Sequence, residues 1–131
     1  MCKNSFGWFV CYTYKMKKLL TRYSHPIRGI GYALANDRSY RSQVYIIGAI
    51  VAAIFMYFDP LQLWEVLFVV LAYALILITE LQNSALEAAL DRMHPEMHES
   101  IGQSKDMAAG AVLTAGVFLL IVIGVLVLGR I

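Results

Sequence analysis

Charge is scarce in this chain, and acid is scarcest where base is commonest. Of 131 residues only 15% are charged while 60% are hydrophobic, and the mean hydropathy is +0.63. A soluble domain is nearer half apolar and one quarter charged, so the shortage argues for an integral membrane protein. Cysteine is almost missing: Cys2 and Cys11 both lie in the N-terminal arm. They lack metal-binding spacing, and the charge bias below places both on the reducing side, so no disulfide is expected. No P-loop GxxxxGKS/T or Rossmann GxGxxG run occurs, so any nucleotide must be held in another way. There is no HExxH, and the HxE at His94 to Glu96 has no PCxxC partner, which excludes zinc hydrolases and nucleobase deaminases. The opening MCKNSFGWFVCYTYKMKK puts its basic cluster after its apolar residues; a signal peptide has the reverse order and is not expected.

What the chain has instead is three apolar runs. Residues 44–58 (VYIIGAIVAAIFMYF), 61–79 (LQLWEVLFVVLAYALILIT) and 107–128 (MAAGAVLTAGVFLLIVIGVLVL) would measure about 22, 29 and 33 Å as helices. A hydrocarbon core of about 30 Å is spanned by the latter two as they stand, and by the first with the preceding turn added. Asp59 and Pro60 alone separate the first pair, so these form a tight helical hairpin. The fold expected is an all-α membrane domain covering 1–131. It has an N-terminal surface region (1–43), three transmembrane helices, and a polar helix extension and loop (80–106).

Basic residues give the orientation. Eight of the eleven Lys and Arg precede residue 44, Arg92 and Lys105 lie within 80–106, and Arg130 alone follows the third run. The positive-inside rule then puts the N-terminus and the 80–106 segment in the cytoplasm and the C-terminus outside. Residues 1–43 mix Phe6, Trp8, Phe9, Tyr12, Tyr14 and Tyr23 with basic residues, which suits amphipathic helices lying in the headgroup layer. A second surface helix is expected after Pro26, running on into the first span. Simple attraction to anionic lipid accounts equally well for Lys15, Lys17 and Lys18. Small residues Ala108, Ala109, Gly110, Ala111, Ala115 and Gly116 allow another helix to approach closely, and a chain of three spans points to an oligomer.

The feature that asks for a function is TELQNSALEAALDR, residues 79–92. Glu80, Asn83, Glu87 and Asp91 fall within an arc of about 80° on a helix, directly where the chain leaves the apolar run. Acids at a membrane boundary are costly and are usually functional. The 80–106 segment carries six acids against two bases, whereas residues 1–43 carry Asp37 against eight bases. Two completions are open. Arg28, Arg38 and Arg41 could neutralise Glu80, Glu87 and Asp91 as ion pairs; or the acids could hold a divalent cation, with oxygen ligands favouring Mg²⁺ over zinc. Lys105 and Asp106 stand at the expected start of the third helix, where free N–H groups favour phosphate.

Taken together, ELQNSALEAALD (80–91) and SKDMAAGAVL (104–113), with RGIGYALANDRSYR upstream, resemble the small prokaryotic diacylglycerol kinases and their undecaprenol kinase relatives. The resemblance covers roughly residues 25–128. It implies a homotrimer in the bacterial inner membrane, with active sites shared between subunits at the cytoplasmic boundary. It also implies transfer of the ATP γ-phosphoryl group to a lipid hydroxyl with Mg²⁺, and no nucleic-acid partner. By position it makes Glu80 the catalytic base and Glu87 and Asp37 metal ligands. Asn83, Glu87, Asp91, Glu96, His98, Lys105 and Asp106 become the nucleotide site, and Arg28, Arg41 and Glu80 the lipid contacts. Asp37 departs from the Glu usual there and is one methylene shorter, while Gln43 stands where relatives often carry an acid or His. Diacylglycerol is the expected acceptor and undecaprenol the alternative. A small transporter or ion pathway using Glu80 and Glu65 is a reading of another class, but its acids would sit nearer the midplane.

Overall fold

A computed structural model describes residues 21–130 except 23, 59 and 97, and among these the regular structure is entirely helical. Helix α1 covers 24–36, α2 Arg38–Tyr57, α3 Leu63–Met93 and α4 Glu99–Leu128. The last three are each long and apolar enough to cross a membrane. The surface helix expected before Pro26 falls largely on 1–20, outside the described residues.

The surface helix does not run unbroken into the first span. Asp37 takes an extended conformation and caps α2, its Oδ1 accepting from the Ser39 N–H at 2.8 Å and the Tyr40 N–H at 3.2 Å. Asp is a strong N-cap because its oxygen satisfies N–H groups that have no intrahelical partner. Residues Gln43–Ile47 of α2 form a π-helical turn before α-geometry resumes over Gly48–Tyr57.

At the other end of the hairpin, Gln62 and Glu65 form a reciprocal capping box that starts α3, with the Gln62 N–H donating to Glu65 Oε2 at 2.7 Å. Arg130 closes the same end. Its two terminal nitrogens bind the two oxygens of Glu65 at 2.9 and 3.0 Å, and its guanidinium lies 5.1 Å from the Phe58 ring centroid. Glu65 is therefore committed to tying the end of α4 to the hairpin turn, and the relay role considered for it from sequence does not fit.

The core is a seam between α3 and α4, which pack along much of their length. Val69, Ala72 and Ile76 of α3 meet Ala115, Leu119, Val122 and Leu126 of α4, with Val51 and Ile54 of α2 alongside. Alternating steps of three and four are the spacing by which paired helices interlock side chains. The α3 seam begins and ends on an acid: its buried positions are Glu65, Val69, Ala72, Ile76 and Glu80. The polar stripe of Asn83, Glu87 and Asp91 continues that face where the apolar side chains stop.

Two boundaries expected from sequence move. Helix α3 runs without interruption to Met93, and α4 starts at Glu99, so the connection between them is residues 94–98. Lys105 thus lies nearly two turns inside α4 and not at its N-terminus. That place belongs to His98, whose side chain accepts from the Ser100 N–H at 3.2 Å, and Glu99 in the first turn complements the helix dipole.

Candidate active site

Two grooves meet on the stripe face of α3. The first, of about 650 Å³, lies between α2 and α4. Glu80, Asn83, Ser39 and Gln43 stand at its polar end, and apolar side chains including Ile47, Ile76, Val112 and Leu120 line the rest. The second, of about 770 Å³, lies between α1 and the C-terminal part of α3 and is lined by Asp37, Arg38, Asn83, Ser84 and Glu87 among others. Ser39 and Asn83 line both, so one groove opens beside the other.

Glu80 sits at the junction. It is 3% exposed, and no hydrogen bond or ion pair to its carboxylate occurs among the described residues. Burying a carboxylate without a partner is costly, and a protein keeps such a group where a ligand or a proton is to meet it. Seven residues further along α3, about 10 Å on, Glu87 accepts a hydrogen bond from Asn83 Nδ2 at 3.1 Å. That bond turns the amide oxygen Asn83 Oδ1 away, and it is buried with no partner. Asp37 Oδ2 is likewise buried without a well-aligned hydrogen bond.

Burial pushes the Asp37 carboxyl upward, but the Ser84 hydroxyl, the Tyr40 and Ser39 N–H groups and the Arg41 charge outweigh it and hold it below its ordinary 3.8. The carboxyl is an anion at neutral pH. Asp37, Asn83 and Glu87 thus present oxygen acceptors around one groove. Among the described residues no cluster of three acidic, histidine or cysteine side chains forms; the third oxygen here is an amide.

Other residues singled out from sequence gather elsewhere. Asp91 pairs with Lys105 across the α3–α4 connection, and both line a smaller cavity of about 320 Å³ with His94, Glu96, His98 and Glu99. Asp106 is exposed on α4 and does not line it. The basic residues proposed as counter-ions of the stripe do not reach it within the chain. Arg28 bonds to His25 Nδ1 at 2.8 Å, Arg41 to the Ala35 carbonyl at 3.2 Å, and both are exposed. Neither lines a groove with Glu80; Arg38 is the arginine that lines the second groove together with Asp37 and Glu87. Ser39 and Ser84 were not anticipated as site residues. For Ser39 the signal was available, since Asp-Arg-Ser before a helical run reads as an N-cap with its bonded neighbour.

This arrangement, an unpaired buried carboxylate between an apolar groove and a polar groove rich in oxygens, suits transfer of a charged group to a lipid hydroxyl. Comparison with known proteins agrees. The sequence profile described as prokaryotic diacylglycerol kinase matches residues 24–128. A diacylglycerol kinase of Synechocystis sp. is 34% identical over 112 residues, which cover 84% of this chain and 62% of the relative. That of Escherichia coli K12 is 36% identical over 89 residues, covering 67% and 70% respectively. The Haemophilus influenzae diacylglycerol kinase is 27% identical over 95 residues, covering 72% and 77%. With four fifths of its length inside the family profile and Glu80, Asn83 and Glu87 joined at one site, the chain belongs to the prokaryotic diacylglycerol kinases, a family of lipid kinases.

Proposed function

We propose that this protein transfers the γ-phosphoryl group of ATP to the primary hydroxyl of diacylglycerol, giving phosphatidic acid and ADP. The observation that carries the reading is Glu80: buried, unpaired, and set at the polar mouth of the apolar groove. A lipid whose tail lies along Ile47, Ile76, Val112 and Leu120 would bring its hydroxyl to that carboxylate. Glu80 accepts the hydroxyl proton as the oxygen bonds to the γ-phosphorus, and the bond from that phosphorus to the β,γ-bridging oxygen breaks to release ADP. A positioned general base contributes typically 10²- to 10⁴-fold, and holding the two reactants in line supplies much of the remainder.

Asp37, Glu87 and the free amide oxygen of Asn83 would hold Mg²⁺, since the donor set is all oxygen and neither Asp37 Oδ2 nor Asn83 Oδ1 is engaged in a well-aligned hydrogen bond. Held there, Mg²⁺ would supply charge neutralisation on the triphosphate. Asp91, Lys105, Glu96 and His98 border the nucleotide from the α3–α4 connection, and Asp106 lies beyond them on α4. Arg28 and Arg41 contact lipid headgroups from the surface, with Arg38 nearer the phosphates.

The protein acts as a homotrimer in the bacterial inner membrane, with the N-terminus and residues 94–98 cytoplasmic and the C-terminus outside. The exposed small residues Ala109, Gly110 and Ala111 on α4 support close approach of a second copy. The Lys and Arg distribution supports the orientation, and exposed Ile27, Ile30 and Tyr32 on α1 support its lying in the lipid surface.

The test is purified protein in mixed micelles with Mg²⁺ and γ-labelled ATP, offered diacylglycerol and undecaprenol in parallel. Label entering diacylglycerol, and lost in Glu80→Gln, is expected. Label entering undecaprenol alone would assign the acceptor to the alternative, and label staying in ATP with both would overturn the kinase reading.

A further inference from the structure

The mechanism above leaves one feature of α2 unused. Residues Gln43–Ile47 form a π-turn, a rare interruption of an α-helix that concentrates at functional sites. Tyr73, from the middle of α3, donates its hydroxyl hydrogen to the Val44 carbonyl at 2.9 Å. That carbonyl also receives the N–H of Gly48, so it is held from two sides at the point where the ladder widens. Glycine at residue 48 leaves room for this: a Cβ there would stand 2.9 Å from the Tyr73 hydroxyl oxygen, which would have to shift, while the ring carbon bearing it, at 3.6 Å, would be in ordinary contact. The hydroxyl reaches the helix backbone through the space that the missing Cβ leaves.

A π-turn bonds residue i to i+5, where an α-turn bonds i to i+4. Side chains before it are displaced around the axis by about one residue's rotation, roughly 100°, relative to an unbroken α-helix. Gln43 opens this turn and, with Ser39 one turn before it, lines the mouth of the apolar groove with Glu80. The carboxamide offers donors and an acceptor but no charge. A diacylglycerol presents an ester carbonyl, a pure acceptor, beside its reacting hydroxyl; a polyprenol presents the hydroxyl alone.

We propose that Tyr73 is a positioning residue for the acceptor lipid: through the Val44 carbonyl it holds the π-turn that sets Gln43 beside Glu80, where the Gln43 amide donates to the acceptor's ester carbonyl. Tyr73 does not touch the reacting atoms and acts through Gln43. The inference rests on the lipid kinase reading and names which part of the acceptor is recognised.

The experiment compares full-length Tyr73→Phe, Gln43→Ala, their double variant, Gly48→Ala and Gly48→Ala/Tyr73→Phe by steady-state kinetics and thermal melting in the same micelles. Losing one neutral hydrogen bond raises the KM for diacylglycerol about five-fold in Tyr73→Phe, with the KM for ATP unchanged. Gln43→Ala shows the same rise, and the double variant shows no more than either. Gly48→Ala raises the diacylglycerol KM when Tyr73 is present and adds nothing on top of Tyr73→Phe, because the atom it meets is gone. Melting curves separate this from general damage, which would move both KM values together. The proposal is overturned by an unchanged diacylglycerol KM in Tyr73→Phe, by multiplying effects of Tyr73→Phe and Gln43→Ala, or by equal losses from Gly48→Ala with and without the tyrosine hydroxyl. A wild-type protein that phosphorylates no lipid at all would instead remove the kinase reading, and this inference with it.

Discussion

Asp37 has two tasks that substitution can separate. Its Oδ1 caps α2 through the Ser39 and Tyr40 N–H groups, and its Oδ2, buried without a well-aligned hydrogen bond, is left for the proposed cation at the groove that Asp37 lines with Glu87 and Asn83. Asp37→Ala removes both tasks, whereas Asp37→Asn keeps an N-cap nearly as good as the original. Replacing a capping Asp by Ala costs about 1 kcal/mol, within roughly 0.5 to 2. Asn forfeits mainly the charge at the helix N-terminus, about 0.3 to 1 kcal/mol at an exposed site. Melting in micelles should therefore rank wild type above Asp37→Asn above Asp37→Ala. Kinase turnover should separate them differently, with both variants losing most activity at limiting Mg²⁺ and Asp37→Asn recovering partly as Mg²⁺ is raised.

The pH dependence has a fixed sign. The folded-state carboxyl is held below its ordinary 3.8, so the unfolded chain binds the proton more readily. The stabilisation is complete above about pH 4 to 5 and is lost as pH falls through the folded-state value. The gap between wild type and Asp37→Asn should be constant from about pH 6 to 8 and narrow below about 4. Asp37→Asn melting as low as Asp37→Ala at neutral pH, or a gap that widens on acidification, would refute the division of labour.

The remaining expectations concern single sites. Glu80→Gln should lower kcat by roughly 10² to 10⁴ while its melting midpoint stays level or rises, since a carboxyl without a hydrogen-bond partner is exchanged for an amide of the same shape; circular dichroism and melting check the fold. Lys105→Ala should raise the KM for ATP and leave that for lipid alone. Its cost in stability should be below about 1 kcal/mol, because the Asp91 pair is largely exposed. Arg130→Ala should lower the melting midpoint more than Glu65→Gln, because it strands a buried carboxylate, while Glu65→Leu/Arg130→Ala recovers part of the loss. All three should keep normal KM values, as Glu65 lies fifteen residues from Glu80 on α3, about 22 Å away.

The three apolar helices and the acidic stripe were legible in the sequence because each depends on local composition or on the helical period, whereas the first connection runs from 58 to 62 and not over Asp59 and Pro60 alone. The stripe was also correctly referred to one face, since α3 continues without a break from Val69 through Glu80 to Asp91. What was illegible depends on distant partners or on one dihedral. Running α1 on into α2 ignored the capping signal at Asp37, where the chain turns extended for a single residue. The Val44 carbonyl of the π-turn accepts from a hydroxyl 29 residues away, and Glu65 finds its counter-ion 65 residues on; neither separation leaves a local pattern. Pairing Arg28 and Arg41 with the stripe rested on charge alone. Position along α1 and α2 instead gives them a histidine and a backbone carbonyl.

Helix α3 also has a consequence for the membrane around it. At 31 residues it is about 46 Å long, roughly 16 Å more than the hydrocarbon core, and it carries Glu80 and Glu87 on a single rod. The distance from Glu80, the proposed base, to Glu87, the proposed cation ligand, is therefore fixed by the protein, whereas the height of a lipid hydroxyl is fixed by the bilayer. A thicker or thinner bilayer slides the acceptor along that ruler without moving the nucleotide side. Under the proposed orientation, acyl-chain length of the host lipid sets the register of the reaction, and catalysis becomes a gauge of bilayer thickness.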